Sequence, residues 1–176
     1  MFEGLRILSL RGEVNEETTG EIIDYILRFN AEDSDIPVEQ RIPIELHIQS
    51  VGGSVLDGIS LIDIILSSKT PVYTYCDGYA ESIAFVIFIV GHKRFGYEHS
   101  TFMYHGMSMQ NDFSKLLNIA SQVNHFKAVQ VSLTDIITKR TELSEEDIKI
   151  ICSGDSDWYA NIDDAIALGI VTDVVV

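Results

Sequence analysis

The chain alternates between short apolar runs and longer runs in which apolar residues recur at helical spacing, and this alternation limits the possible folds. In Glu16–Asn30, for example, apolar side chains lie near three- and four-residue spacing, with Thr18 or Thr19 available to cap the helix start. Strand-like and helix-like segments that alternate in this way are typical of α/β domains. No repeat or linker interrupts the pattern, so we expect one α/β domain over residues 1–176.

Turn residues and capping residues give the element boundaries. Gly12 is expected to end the first strand, residues 31–43 to form a surface loop, and Ser-Glu-Glu-Asp from Ser144 to start a helix as a capping box. The predicted strands are Leu5–Leu10, Ile44–Ile48, Pro71–Tyr75, Arg94–Tyr97, Thr101–Tyr104 and Val171–Val176. The predicted helices are Glu16–Asn30, Val55–Ser67, Ser82–Val90, Phe113–Lys139, Ser144–Ile151 and Asp163–Leu168.

Two of these helices are unusual. Ser82–Val90 is almost entirely apolar, which predicts burial on every side. Phe113–Lys139 is very long for a chain of 176 residues. Such a helix either folds back on its own sheet or projects towards a partner. The pattern alone supports both interpretations.

The charge excludes one broad class of function. Twelve Lys and Arg residues stand against 27 Asp and Glu residues, which gives a formal net charge of −15. Binding to nucleic-acid phosphates needs a concentrated basic face. We therefore expect no nucleic-acid partner, and interpret the acidic surface as an aid to solubility.

Cysteine and histidine usage indicates no cofactor. Cys76 and Cys152 lie far apart, which excludes a disulfide framework and a cysteine zinc site and suits a reducing compartment. The N-terminal residues lack a secretory signal, and the longest apolar run, Ile83–Val90, is too short to span a bilayer. We therefore expect a cytoplasmic protein without a membrane segment. Four of the five histidines, His47, His92, His99 and His125, do not have the spacing of metal ligands.

Three segments at element ends carry groups that suit nucleophilic catalysis. Gly52 and Gly53 follow a strand and precede a helix, where backbone N–H groups can stabilise an oxyanion; a plain tight turn is the alternative. Ser82 opens a buried helix, whose free N–H groups favour an attacking oxygen, although a serine there also suits an N-cap. His105 ends a strand, where a structural role is the commoner one. A serine nucleophile needs a base, an orienting acid and oxyanion donors, and composition does not single out one Asp.

Four motifs, in order along the chain, resemble the proteolytic subunit of the Clp protease, ClpP. IELHIQSVGGSVLDGISLIDII resembles its strand–turn–helix with a Ser-Pro-Gly-Gly turn, and CDGYAESIAFVIFIVG its nucleophile segment. TFMYHG resembles the strand that ends in Met-Ile-His, and DSDWYANIDDAIALGIVTDVV the C-terminal segment. The resemblance covers roughly Leu5 to Val176.

The resemblance implies a serine endopeptidase with a Ser-His-Asp triad. Ser82 would be the nucleophile, His105 the general base and Asp157 the acid that orients His105, with Asp155 as the alternative acid. The oxyanion would be bound by two backbone N–H groups, those of Gly53 and Ile83.

The resemblance also implies a fold and an assembly. The fold would be the β-β-α superhelix that ClpP shares with the crotonases, with residues 113–139 as a projecting handle helix. Polypeptide substrates would be cleaved inside a homo-oligomer of two stacked heptameric rings, a tetradecamer. An ATP-dependent unfoldase would feed the chamber, while the peptidase itself would need no metal or nucleotide.

Four departures from the family pattern are expected to modify this activity. Val51 replaces the proline of the glycine turn, and Glu81 replaces a small residue beside the nucleophile. Residues 106–114 lack the usual glycines, and the chain begins almost at its first strand, without the usual pore-lining segment, so that unfoldase docking is expected to differ. These features suit a divergent or phage-encoded member.

Two other functions compete with an active peptidase. A catalytically silent subunit that builds or regulates a ring would tolerate the changes at Val51 and Glu81. A crotonase-type acyl-CoA enzyme would share the fold, but it does not require Ser82, His105 and Asp157 together.

Overall fold

The computed structural model describes residues 5–107, 116–154 and 156–175. Its strands are β1 (Ile7–Val14), β2 (Ile44–Gly53), β3 (Val72–Glu81), β4 (Lys93–Gly96), β5 (Thr101–Tyr104), β6 (Trp158–Ala160) and β7 (Asp173–Val174). Its helices are α1 (Glu16–Glu32), α2 (Val55–Ser67), α3 (Ile83–Ile89), α4 (Leu116–Arg140), α5 (Glu145–Ser153) and α6 (Ile162–Ala167), with one 3-10 turn at Val38–Gln40. The α/β class expected from the alternation is confirmed.

The sheet places the ends of β3 and β5 side by side. Its main path runs β1-β2-β3-β4-β7, and every neighbouring pair on this path is parallel. Beyond its pairing with β4, strand β3 continues and pairs in parallel with β5 at Tyr79–Glu81. Strand β6 then pairs antiparallel with β5. Since β3 leads to Ser82 and β5 leads to His105, this topology brings those two residues to one place.

The core fills the side of the sheet on which the helices pack. In β2, Ile44, Leu46 and Ile48 are completely buried, while the residues between them are only half-buried, as expected for a strand with one face against helices. All seven residues of α3 are buried, so the predicted burial of this helix on every side is confirmed.

Capping residues explain several helix starts. Asn15 is the N-cap of α1, and Thr18 completes a capping box with it. Ser144 and Asp147 form the predicted capping box of α5, and Asn161 and Asp164 form another at α6.

The strands extend further than glycine-based boundaries predict. Gly12 does not end β1: it takes φ +76° inside the strand, and the register with β2 shifts at this point. In the same way β2 continues through Gly53 and β3 through Gly78, which has φ +121°. Glycine at an irregularity of a strand lets the ladder bend and resume.

The remaining differences concern the C-terminal half. Strand β6 was not predicted, because it has only three residues and forms by pairing with β5. The long helix is present as α4 from Leu116, and the predicted start at Phe113 lies outside the described residues. Among those residues, no helix combines the length and apolar character that a membrane crossing requires.

Candidate active site

Ser82 sits at a strained junction between β3 and α3. Its φ is 55° and its ψ is −125°, and among the described residues it alone has positive φ without being glycine. A residue in this region costs about 1–3 kcal/mol, which the surrounding structure must offset. The Ser82 N–H donates to the Met103 carbonyl of β5 at 2.9 Å, so the neighbouring strand helps to hold this conformation.

The Ser82 hydroxyl contacts His105 and does not cap the helix. Although Ser82 occupies the N-cap position of α3, its side chain makes no capping hydrogen bond. Its Oγ lies 2.9 Å from Nε2 of His105, which directly follows β5. A hydroxyl that donates to an unprotonated imidazole nitrogen can pass its proton to that base during attack on a carbonyl.

The glycine turn at the end of β2 packs against this serine. Gly52 has φ +89°, and a Cβ at that position would lie 2.7 Å from Ser82 Cβ and 2.8 Å from the Glu81 carbonyl oxygen. Gly53 has φ +150°, and a Cβ there would overlap the Val14 carbonyl oxygen. Glycine is therefore required twice, by the backbone angle and by the close approach.

A buried serine, Ser50, forms hydrogen bonds that stabilise the same turn. Ser50 is completely buried; its Oγ donates to the Gly12 carbonyl at 2.6 Å and accepts from the Gly52 N–H at 3.1 Å. Ser50 is not among the site residues predicted from the sequence. Its position two residues before the glycines is a signal of a side chain that bonds its own turn.

Residues of this region line one small cavity. Its volume is about 70 Å³. Four of the predicted site residues line it: Gly53, Ser82, Ile83 and His105. The rest of its lining is Val55, Tyr104, Met107 and Leu133. Larger grooves exist, such as one of about 540 Å³ between α4 and α5, but it contains none of the predicted site residues.

Neither cysteine competes with Ser82 as a nucleophile. Burial raises the pKa of the Cys76 thiol to about 12 and also raises the pKa of Cys152, so both remain protonated thiols at neutral pH. Burial likewise raises the pKa of Tyr104 to about 12, so its hydroxyl remains neutral beside the cavity. In the part of the chain that the structure describes, no three His, Cys, Asp or Glu side chains lie together as a metal site would require.

The predicted orienting acid is near His105 along the sheet but does not contact it. Tyr104 pairs with Trp158, so the residue before Trp158, Asp157, lies across from the residue after Tyr104, His105. Asp157 is exposed, and within the described ranges it makes no hydrogen bond or ion pair with His105. Asp155 lies outside the described residues.

Two of the residues that differ from the family pattern, Val51 and Glu81, do not line the cavity. Val51 is 53% exposed. Glu81 pairs with Met103 between β3 and β5 and is not among the residues that line the cavity. Most of the segment expected to lack the usual glycines, residues 108–114, lies outside the described residues.

The family model and the curated relatives that match this chain point to the same family. The Clp protease family model matches residues 2–176. The ATP-dependent Clp protease proteolytic subunit 3 of Synechococcus sp. (strain CC9902) is 29% identical, over 97% of this chain and 82% of its own. The proteolytic subunit 1 of Prochlorococcus marinus (strain MIT 9312) is also 29% identical, over 94% of this chain and 82% of its own.

A solved structure shows the same fold. The crystal structure of a peptidase from Plasmodium falciparum superposes with a TM-score of 0.82 at 27% sequence identity, covering 97% of this chain and 96% of that one. The family match spans nearly the whole sequence, and the structural match spans nearly the whole of both chains. The chain belongs to the Clp protease family and has the fold of its peptidases.

Proposed function

We propose that this protein is a serine endopeptidase in which Ser82 is the nucleophile and His105 the general base. The observation that carries the proposal is the 2.9 Å contact between Ser82 Oγ and His105 Nε2. That contact lies in a cavity also lined by Gly53 and Ile83, the two residues whose backbone N–H groups are our candidates for the oxyanion hole.

The chemistry follows from these groups. Ser82 Oγ attacks the scissile carbonyl while His105 Nε2 takes the hydroxyl proton, and His105 then gives that proton to the leaving amine. The oxyanion formed at the carbonyl accepts hydrogen bonds from Gly53 and Ile83, and each such donor is worth about 100- to 1000-fold in rate. Water hydrolyses the acyl-enzyme by the same steps.

Asp157 is our proposed orienting acid. Its place opposite His105 in the β5–β6 register supports this role, because side chains at opposed positions of an antiparallel pair are close enough to interact. We propose that this contact forms in the assembled enzyme. The missing contact also supports a second candidate function, a catalytically silent subunit that builds a ring.

We further propose an assembly and a location. Homo-oligomeric stacking of two heptameric rings would enclose the sites and admit unfolded polypeptides, with α4 contributing to the contact between rings. The curated relatives are named as ATP-dependent proteases, which supports an ATP-driven unfoldase as partner. The free thiols of Cys76 and Cys152 suit a reducing compartment, which supports the cytoplasm as location.

Hydrolysis of short fluorogenic peptides tests the proposal. We expect turnover by the wild type, loss of about 10⁶-fold in Ser82→Ala, and full activity in the control Ser67→Ala, whose exposed hydroxyl bonds only its own helix. Equal activity in Ser82→Ala and the wild type would contradict Ser82 as nucleophile. An assembled wild-type ring without turnover would support the silent subunit.

A further inference from the structure

Three aromatic side chains link the three segments that carry the candidate triad. Phe85 on α3 lies three residues after Ser82, Tyr104 lies directly before His105, and Trp158 lies directly after Asp157. The Phe85 ring contacts the Tyr104 ring with centroids 5.6 Å apart and the Trp158 ring with centroids 6.3 Å apart. A shift of one ring is therefore transmitted to the others.

Tyr104 is the polar member of this cluster. The residue is 3% exposed, and in the part of the chain that the structure describes its hydroxyl has a single hydrogen-bond partner, Nε2 of Gln130 on α4, at 3.1 Å. A buried hydroxyl without a partner is strongly unfavourable, so this bond selects the position of the Tyr104 ring.

Gln130 is itself held on α4. Its Nε2 lies 3.5 Å from Oγ1 of Thr134, and that hydroxyl donates to the Gln130 carbonyl at 2.9 Å. Leu133, on the same helix, lines the cavity beside Ser82 together with Tyr104. Helix α4 thus reaches the site through an apolar contact and through one hydrogen bond.

We propose that Gln130 is a positioning residue for the Ser82–His105 pair and acts through Tyr104. Tyr104 ends β5 and His105 directly follows it, and both residues line the cavity, so a change in the position of the Tyr104 ring shifts the backbone that carries the His105 imidazole. Loss of the Gln130 bond frees Tyr104 to tilt and lengthens the contact between Ser82 Oγ and His105 Nε2. The inference rests on the proposed peptidase function and adds a residue that the triad does not include.

Steady-state kinetics of four variants tests this role. Gln130→Met keeps the length of the side chain and removes its donor, and Tyr104→Phe removes the other partner. We expect each to lower kcat about 3- to 10-fold with KM within twofold. The double variant is expected to match either single one, because both remove the same bond. Gln130→Glu is expected to retain activity, since its carboxylate accepts from the Tyr104 hydroxyl.

A control separates positioning from stability. Thr138→Val removes a hydroxyl that bonds only the backbone of its own helix, so it is expected to leave kcat unchanged, and its melting temperature gives the effect on stability of losing a hydroxyl of α4 that does not contact Tyr104. An unchanged kcat in Gln130→Met would overturn the inference, as would a rise in KM at constant kcat.

Nuclear magnetic resonance of ¹³C-labelled histidine separates failure of this inference from failure of the proposed function. If the wild type does not hydrolyse peptides, the proposed function fails, but the His105 ring signal still reports its contact with Ser82. We expect Gln130→Met to move that signal in the direction of Ser82→Ala, with Gln130→Glu close to the wild type. A signal unchanged in Gln130→Met would overturn the positioning role.

Discussion

Replacement of Gly52 by alanine tests whether the glycine turn fixes Ser82. The added methyl would lie 2.7 Å from Ser82 Cβ, whereas carbon atoms in contact normally lie about 3.5–4.0 Å apart. Ser82 or the turn must therefore move by roughly 0.8 Å or more. Misplacement of about 1 Å at a reacting centre costs about 100-fold, so we expect kcat of Gly52→Ala to fall about 30- to 100-fold.

Gly12→Ala is the matched control. Gly12 has φ +76°, close to the +89° of Gly52, but a Cβ at Gly12 meets no atom within 4 Å. Both variants force alanine into the left-handed region, at about 1–2 kcal/mol, and lower the melting temperature by a few degrees. Only Gly52→Ala also pushes against Ser82.

The assay compares peptide hydrolysis and thermal unfolding for the two variants at a temperature where both are folded. We expect both to lose stability and only Gly52→Ala to lose most of its kcat. An equal loss of kcat in both variants would show that backbone strain in the sheet, and not contact with Ser82, controls the site. Full activity in Gly52→Ala would refute the packing argument altogether.

Three further predictions concern the acid, the assembly and stability. Asp157→Ala is expected to lower kcat about 10³- to 10⁴-fold and Asp155→Ala less than threefold; kinetics that rank them in reverse would make Asp155 the orienting acid. Light scattering at micromolar concentration is expected to give a mass many times the 19.7 kDa of one chain, and a monomer would contradict the ring. Asp33 is 1% exposed and bonds Arg6 at 2.8 Å, so Asp33→Asn is expected to lower the free energy of unfolding by about 3 kcal/mol. The Arg6 bond lowers the pKa of Asp33, so its stabilisation is complete above the ordinary carboxyl pKa and is lost as pH falls through the lowered value. Urea unfolding is expected to show a weaker acid dependence for Asp33→Asn, and an unchanged dependence would contradict this.

Apart from β6, the order of the elements could be predicted from the sequence, and the pairing of Ser82 with His105 followed from the resemblance to the Clp proteolytic subunit. Apolar spacing, apolar content and capping residues are local properties, and they identified α1, α2, α3 and α5 within one or two residues. The positions of the strand ends could not be predicted in the same way. Gly12 and Gly78 lie within strands because pairing with the neighbouring strand resumes after an irregularity, and that depends on distant residues.

Some of the residues that line the cavity also could not be predicted from the sequence. Leu133 enters the cavity from α4, about 50 positions along the chain from Ser82, and no local pattern distinguishes it from other apolar residues of that helix. The hydrogen bond between Gln130 and Tyr104 also joins residues that are distant in the sequence, so no local pattern predicts it. The side chain of Asp157 is exposed, and its position in the sequence does not determine whether the proposed contact with His105 forms.

The most direct test of the central claim is the intact mass of the protein after treatment with a fluorophosphonate, which reacts with activated serines. We expect one adduct per chain in the wild type and none in Ser82→Ala, because only Ser82 is paired with a base in the candidate site. The control Ser67→Ala is expected to react like the wild type. An adduct that persists in Ser82→Ala, or an assembled wild-type ring that forms none, would contradict Ser82 as an activated nucleophile.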